Sequence, residues 1–274
     1  MRSTRGIKVK NFFCIYKLYI KTFFKARMEY KISFFLSLLA NFYCYFMTYI
    51  SYWVLVMGTG NVDGWNFSDL SILYSLSLLT YAISGTLIWY SIYHIEDLIV
   101  TGQLDIMMLR PQGIFKQLIF QRFGDTFLGQ IAVTVIFIIN AFIERNDGVG
   151  GGMIYLFLAI IGGIFFQMGF LLFIGGLSFW TMRSQALVDI IYYDIREMTK
   201  YPISIYPNFI KVILTFVIPW AFVNYYPAII ITNKIHTYEE VILGYGAPFI
   251  GVLVFVLAIF FFKVSLRRYT SAGS

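Results

Sequence analysis

Two uninterrupted runs constrain this chain more than any other feature. Ile32–Met57 is 26 residues long, Met153–Met182 is 30, and neither holds a charged side chain. About 20 apolar residues let a helix cross a bilayer. In hydrocarbon every backbone N–H and C=O must be paired internally, so such runs fold as helices. Leu70–Tyr90, Thr126–Ile143 extended backwards, and Val241–Phe262 read the same way. A sixth run, Ile203–Phe222, is interrupted by Pro207 and Pro219, and Pro219–Thr232 reads as a bent helix end followed by a short re-entrant or surface hairpin. The expected fold is an all-α integral membrane protein with six transmembrane helices, over about 32–57, 70–90, 118–143, 153–182, 203–222 and 241–262. These make one transmembrane domain over 1–274. Only 13% of residues are charged, about half the share in soluble domains.

The net charge of +7 does not point to nucleic acid, because the charges flank apolar runs and make no face of their own. Six passages put both termini on one side. With Arg183–Lys200 read as a polar segment on that side, it collects 19 Lys and Arg against two, Arg145 and Lys234, opposite. The positive-inside rule then makes the termini cytoplasmic. Residues 1–31 carry nine Lys or Arg and one Glu. Phe12, Tyr16, Tyr19 and Phe23 form one helical stripe, and Lys17, Lys21 and Lys25 another. That is an amphipathic helix in the membrane interface, with a solvated basic tail as the plainer reading. It has no cleavable apolar core and is expected to stay on the mature chain. Cys14 and Cys44 fall at different depths, which predicts no disulfide, and no metal spacing is present.

No Gly-x-x-x-x-Gly-Lys-[Ser/Thr] phosphate loop occurs, so no cofactor is expected on this chain. His94 and His236 fall on opposite sides. Asp69 and Asp125 read as helix-start residues. The passages as bounded above hold almost no acid or base, which argues against an ATP-independent secondary carrier. Energy would therefore come from a partner. A lipid-modifying membrane enzyme would need clustered polar groups, and only Asp189, Asp194, Arg196 and Glu197 offer them. Their mixed spacing reads instead as an amphipathic segment seated by Leu187, Ile190, Ile191 and Ile195. Gly162-Gly163 and Gly175-Gly176 allow close helix contact, although Gly is common in membrane helices.

One polar island, Tyr93–Pro111, lies between the second and third passages. Thr101-Gly102 ends a helix that begins near Glu96-Asp97, Gly being favoured just past a helix end. A second turn, Leu104–Leu109, stops at Arg110, because a residue before Pro leaves helical geometry. The product is two short helices with an elbow, either a lever or a connector resting on lipid. Gly102-Gln-Leu104-Asp105-Ile-Met-Met-Leu109-Arg110-Pro111 resembles the Gly-x-Leu-Asp, three-residue, Leu-Arg-Pro signature of a group of bacterial ABC-2-type transporter permeases. Tyr201–Pro207 and Pro219–Ala228 are similar to that group's second-half motifs.

The resemblance implies the membrane subunit of an ATP-binding-cassette exporter in the bacterial inner membrane, not itself an enzyme. It implies a second six-span permease, the same chain or another, and separate ATPase subunits holding ATP and Mg. It makes Glu96–Pro111 the coupling element, drawing on Glu96, Asp97, Leu98, Thr101, Gly102, Leu104, Asp105, Arg110 and Pro111, with Glu96 and Asp97 in contact with the ATPase and Gly102 and Pro111 shaping the elbow. Short outer helices between spans five and six would involve Pro219, Asn224 and Pro227, the re-entrant piece running over about 227–233. Phe42, Tyr45, Phe46, Tyr49 and Trp53 would line a path for amphipathic or apolar cargo. Taken singly, each of these aromatics fits lipid or helix packing better than a lining role.

Overall fold

The computed structural model describes residues 17–110, 113–121, 123–145, 150–181 and 183–269. Among them it is helical, with no β-strand. Helix α1 (residues 17–27) leads through a 3₁₀ turn into α2 (Lys31–Thr59). Helix α3 is α-helical over Phe67–Ser84, π-helical over Gly85–Trp89 and α-helical again over Tyr90–Tyr93. Then follow α4 (Ile95–Val100), α5 (Gln103–Leu109), α6 (Ile114–Gln121), α7 (Phe127–Arg145) and α8 (Gly150–Thr181). Helix α9 is one rod over residues 184–198, π-helical in its middle at Val188–Asp194. Asn208–Val217, which begins with α10 (Asn208–Val212), and Trp220–Ile231, which ends with α11 (Tyr225–Ile231), form a bent pair, and α12 (Tyr238–Leu266) closes the chain.

Helix α3 is the centre of the body. Nearly every residue from Ser68 to Ser84 is buried. A helix enclosed on all sides has no polar face, and its hydroxyls turn back on its own carbonyls, Ser71 to Phe67 and Thr80 to Leu76 among them. Helices α2 and α12 lie outside and expose Ile32, Leu39, Tyr43, Met57, Phe249 and Phe260, the arrangement apolar surroundings allow. The long rib of α8 against α12 depends on glycine. A Cβ built on Gly251 would lie 2.0 Å from the Gly162 carbonyl oxygen. Small residues let helix backbones approach where lipid supplies no hydrophobic drive.

Four of the expected passages coincide with long apolar helices: α2, α3, α8 and α12. The third is shorter than 118–143. It breaks after α6 and restarts at Phe127, because Gly124 N–H donates to the Thr86 carbonyl (3.0 Å) and Asp125 is held by Arg27. Trp65, in the turn after α2, is buried against Tyr225.

The fifth passage is where the structure corrects the sequence reading. Residues 203–222 do not make one crossing. Ser204, Lys211, Tyr225, Lys234 and Glu240 line one pocket with Asp63 and Gly64 at the turn after α2, so the chain enters and leaves this segment on the same face. Between those points it dips to Trp220, which packs on Phe166, Phe170 and Tyr192 in the middle of the body. The two limbs meet at 75°. Pro219 lacks an N–H and forces Ile218 out of helical geometry, to φ −126°, ψ 82°. The re-entrant piece is thus much longer than 227–233. Pro227 does not break it. It is the third residue of α11, where a missing N–H costs nothing.

The chain passes from the terminal face of the body to the far face along α9. Its start, Ser184, bonds Tyr93 at the face carrying both termini. Farther on, Tyr192 Oη donates to Gln167 Oε1 in mid-α8 (2.6 Å), and the Lys200 carbonyl accepts from Tyr52 Oη (3.0 Å), a few residues short of the far end of α2. Fifteen residues of helix reach about 22 Å. Arg196, Lys200 and Lys211 therefore leave the terminal face. Arg183 stays, and the charge asymmetry survives in weaker form.

This path is open to test. With Cys14 and Cys44 replaced by serine, Lys211→Cys is expected to label with an impermeant maleimide from the same side as Gly60→Cys and from the opposite side to Arg183→Cys. Labelling of Lys211→Cys and Arg183→Cys from one side would restore the crossing over 203–222.

Candidate functional site

The elbow on the terminal face forms as its sequence dictates. Gly102 takes a left-handed φ of 67°, which an L side chain adopts only with strain. Arg110 is extended at φ −77°, ψ 145° before Pro111; Pro111 itself lies outside the described residues. Ile95, Leu98, Ile99, Leu104 and Met107 point inward and are buried. On the outer side Val100, Ile106 and Leu109 are 64%, 57% and 86% exposed. Asp97 and Thr101 are exposed beside them, while Glu96 and Asp105 are half-buried. Asp97 Oδ2 lies 2.8 Å from His94 Nδ1.

Two buried side chains brace this elbow, and neither stood out in the sequence. Ser184 Oγ, at the foot of α9, donates to the Tyr93 carbonyl (2.8 Å) and accepts from Glu96 N–H (3.2 Å). Gln117 of α6 donates from Nε2 to the Met107 carbonyl (2.7 Å). The elbow is thus fixed at its start to α9 and at its end to α6.

A second constellation lies inside the body. Arg196 is 8% exposed. Its guanidinium sits 3.9 Å over the Tyr81 ring and 5.4 Å from that of Tyr193, with Tyr45 of α2 beside it. The nearest carboxylate oxygen, Glu197 Oε1, is 3.5 Å away, and Nη1 has no hydrogen-bond partner among the described residues. Close by, Thr80, Gln167 and Tyr192 tie α3, α8 and α9 together. Arg196 is therefore buried in the body and does not sit in a water-facing segment on the terminal face. The other face of α9 exposes Asp189, Asp194 and Glu197. Of these acids only Glu197 reaches Arg196; Asp189 and Asp194 make no ion pair or hydrogen bond with it, so the candidate catalytic cluster in the sequence is dispersed. The tyrosines recurring beside Arg196, at 192 and 193, were the signal available.

The remaining expected residues fall as follows. Phe42, Tyr45, Phe46 and Tyr49 are partly buried against the core, with Tyr49 stacked 3.7 Å from Phe137 of α7. Trp53 is exposed. Asn224 caps α11, accepting from Tyr225 N–H, and donates to the Thr199 carbonyl (2.6 Å), pinning the hairpin to the top of α9. Asp69 starts α3 as expected. It is also buried between Arg145 and Lys234 (3.1 Å), clipping the hairpin exit to the far face. His94 and His236 stand on opposite faces. Cys44 is exposed and free; Cys14, Phe12 and Tyr16 lie outside the described residues.

Long apolar helices around a buried central helix, with a polar elbow at one face, define a multi-pass membrane protein. The chain belongs to the ABC-2 family of transporter proteins, whose profile, "ABC-2 family transporter protein", matches residues 42–273. No curated protein and no solved structure matches it.

The brace at the elbow yields a direct expectation. Ser184→Ala removes both bonds and is expected to cost about 1–2 kcal/mol. Amide exchange over Ile95–Val100 should accelerate while that of α8 and α12 stays as in the parent. Unchanged exchange at the elbow would show that Ser184 does not hold it.

Proposed function

We propose that this chain is the membrane-spanning subunit of an ATP-driven exporter, with energy supplied by ATPase subunits that grip the α4–α5 elbow. Permeases of this family work with such ATPases, and the elbow is the feature here that suits the task. It is a rigid, braced piece set outside the apolar passages, and it presents Val100, Ile106, Met108 and Leu109 to the outside. Exposed apolar side chains rimmed by polar ones mark docking surfaces. We place Glu96, Asp97, Thr101, Asp105 and Arg110 at the polar rim, Leu98 and Leu104 in the supporting core, and Gly102 and Pro111 at the bend. The termini and the elbow are cytoplasmic by the positive-inside rule. That puts the re-entrant hairpin on the outer side of a bacterial inner membrane.

A second six-passage subunit, a copy or a relative, would complete the path. The exposed acids on α9 support that pairing, because charged groups at depth face water or protein and not lipid. Trp53 and Tyr45 fit a lining role better than Phe46 and Tyr49, which pack on α7. The cargo class suggested by the aromatic content is amphipathic or apolar. Arg196 removes the argument that empty passages disfavour an ion-coupled carrier, so the ATP-driven reading rests on family membership and the elbow.

The test is a paired substitution at the docking face. Ile106→Asp with Leu109→Asp is expected to weaken retention of the ATPase by at least about tenfold, as loss of interface anchors does, with thermal stability near that of the parent. Retention and ATP-coupled transport at parental levels would reject the elbow as the docking site.

A further inference from the structure

We infer that α1 is a sensor of anionic lipid headgroups, wired to the elbow through Arg27 and Asp125. Lys17, Lys21 and Lys25 are all exposed and, four residues apart, lie on one face of α1. The adjoining face carries Phe23 and Phe24, which pack on Phe123 at centroid distances of 5.7 and 5.6 Å. Phe24 also meets Phe34 near the start of α2. The helix is therefore held at the level where α2 enters the body, with three ammonium groups turned out beside the exposed Leu18. Next to it, a groove runs along the start of α2; Glu29, Tyr30 and Lys31 line its polar end, and Ile32, Leu36 and Ala40 give it an apolar wall that suits an acyl chain. The occupant that fits is a lipid with an anionic headgroup. Each lysine near an anionic surface contributes roughly fivefold in partitioning, and the effect weakens with salt.

The wiring is on the same helix. Arg27 grips Asp125 with a two-pronged contact, Nε to Oδ2 at 2.7 Å and Nη2 to Oδ1 at 3.0 Å, and the Asp125 side chain is only 5% exposed. Residue 124, beside it, bonds Thr86 in the π-helical turn of α3, and a Cβ on Gly124 would fall 3.1 Å from the Gly85 carbonyl oxygen. Eight residues after Thr86 the chain reaches His94 and the elbow. A displacement of α1 at the lipid surface thus has a contiguous path of close contacts to the π turn and on to α4. What such a displacement would regulate rests on the coupling role proposed above; the lipid binding and its transmission do not.

The experiment uses the full chain alone, in nanodiscs of phosphatidylcholine and of an equimolar phosphatidylcholine–phosphatidylglycerol mixture. Two readouts are taken: preferential retention of phosphatidylglycerol, and amide exchange over residues 85–109. The parent is expected to retain phosphatidylglycerol preferentially and to slow exchange when it is present. The triple variant Lys17→Gln, Lys21→Gln, Lys25→Gln should lose at least about tenfold of that preference, together with the exchange response. Asp125→Asn should keep the preference and lose the response. A triple variant that still prefers phosphatidylglycerol overturns the sensor. A full exchange response in Asp125→Asn overturns the wiring. Neither result bears on whether ATPases dock at the elbow.

Discussion

A guanidinium is not left bare in hydrocarbon, and much of this structure follows from where Arg196 is put. It lies twelve residues past the foot of α9, roughly 18 Å along the rod. Placing a charge at that depth costs about 2.5–3.5 kcal/mol on insertion scales. A desolvated cation over an aromatic face returns about 2 kcal/mol, and the Tyr81 ring lies 3.9 Å below it. The two figures come close to balance only while α3 supplies Tyr81 and α9 keeps the rotation that faces it. The π-helical stretch Val188–Asp194 adjusts that rotation just before Arg196. Once α9 is committed to the interior, the hairpin after it has no crossing left to make. It folds back at Pro219, and Trp220 fills the space beside Tyr192 and Phe166.

The same rod reaches the terminal face at Ser184, whose hydroxyl is shared between the last residue of α3 and the first turn of α4. The elbow is therefore tied to α9 as well as to α3. In the proposed coupling role, motion imposed at α4 would reach the foot of α9, which carries Arg196 and, through Thr199 and Asn224, the hairpin at the other face. The α8–α12 rib, locked by Gly162 and Gly251, offers the fixed frame against which such a rod can move. Exposed acids on α9 and exposed aromatics on α2 lie along the faces this chain leaves open.

How much of this was legible depends on the range of the interactions. The uncharged runs located α2, α3, α8 and α12, because span length is a local property. The elbow was legible at Gly102 and Arg110-Pro111, where backbone geometry is set within two residues. Helix α9 was not, because charge placement reads Arg196 as water-facing, and the ring that accepts it is 115 positions earlier in the chain. The proline-rich stretch 203–222 had apolar length enough for a span, and only its reversal at Ile218-Pro219 shows that it turns back. The break before α7 rests on Arg27 and Asp125, 98 positions apart, and no local pattern announces it. Ser184 and Gln117 were missed for the same reason, since single hydrogen bonds to distant carbonyls leave no periodicity.

The central proposal is that the elbow, gripped by the proposed partner ATPase, drives α9 against a fixed rib. It is tested most directly by electron–electron distance measurement between spin labels on Ile190 of α9 and Val252 of α12, both exposed, in a chain with Cys14 and Cys44 replaced and its ATPase bound. The account requires the distance distribution to move when ATP and Mg are added and to return after hydrolysis. A distribution that stays fixed while ATP is being hydrolysed would contradict it.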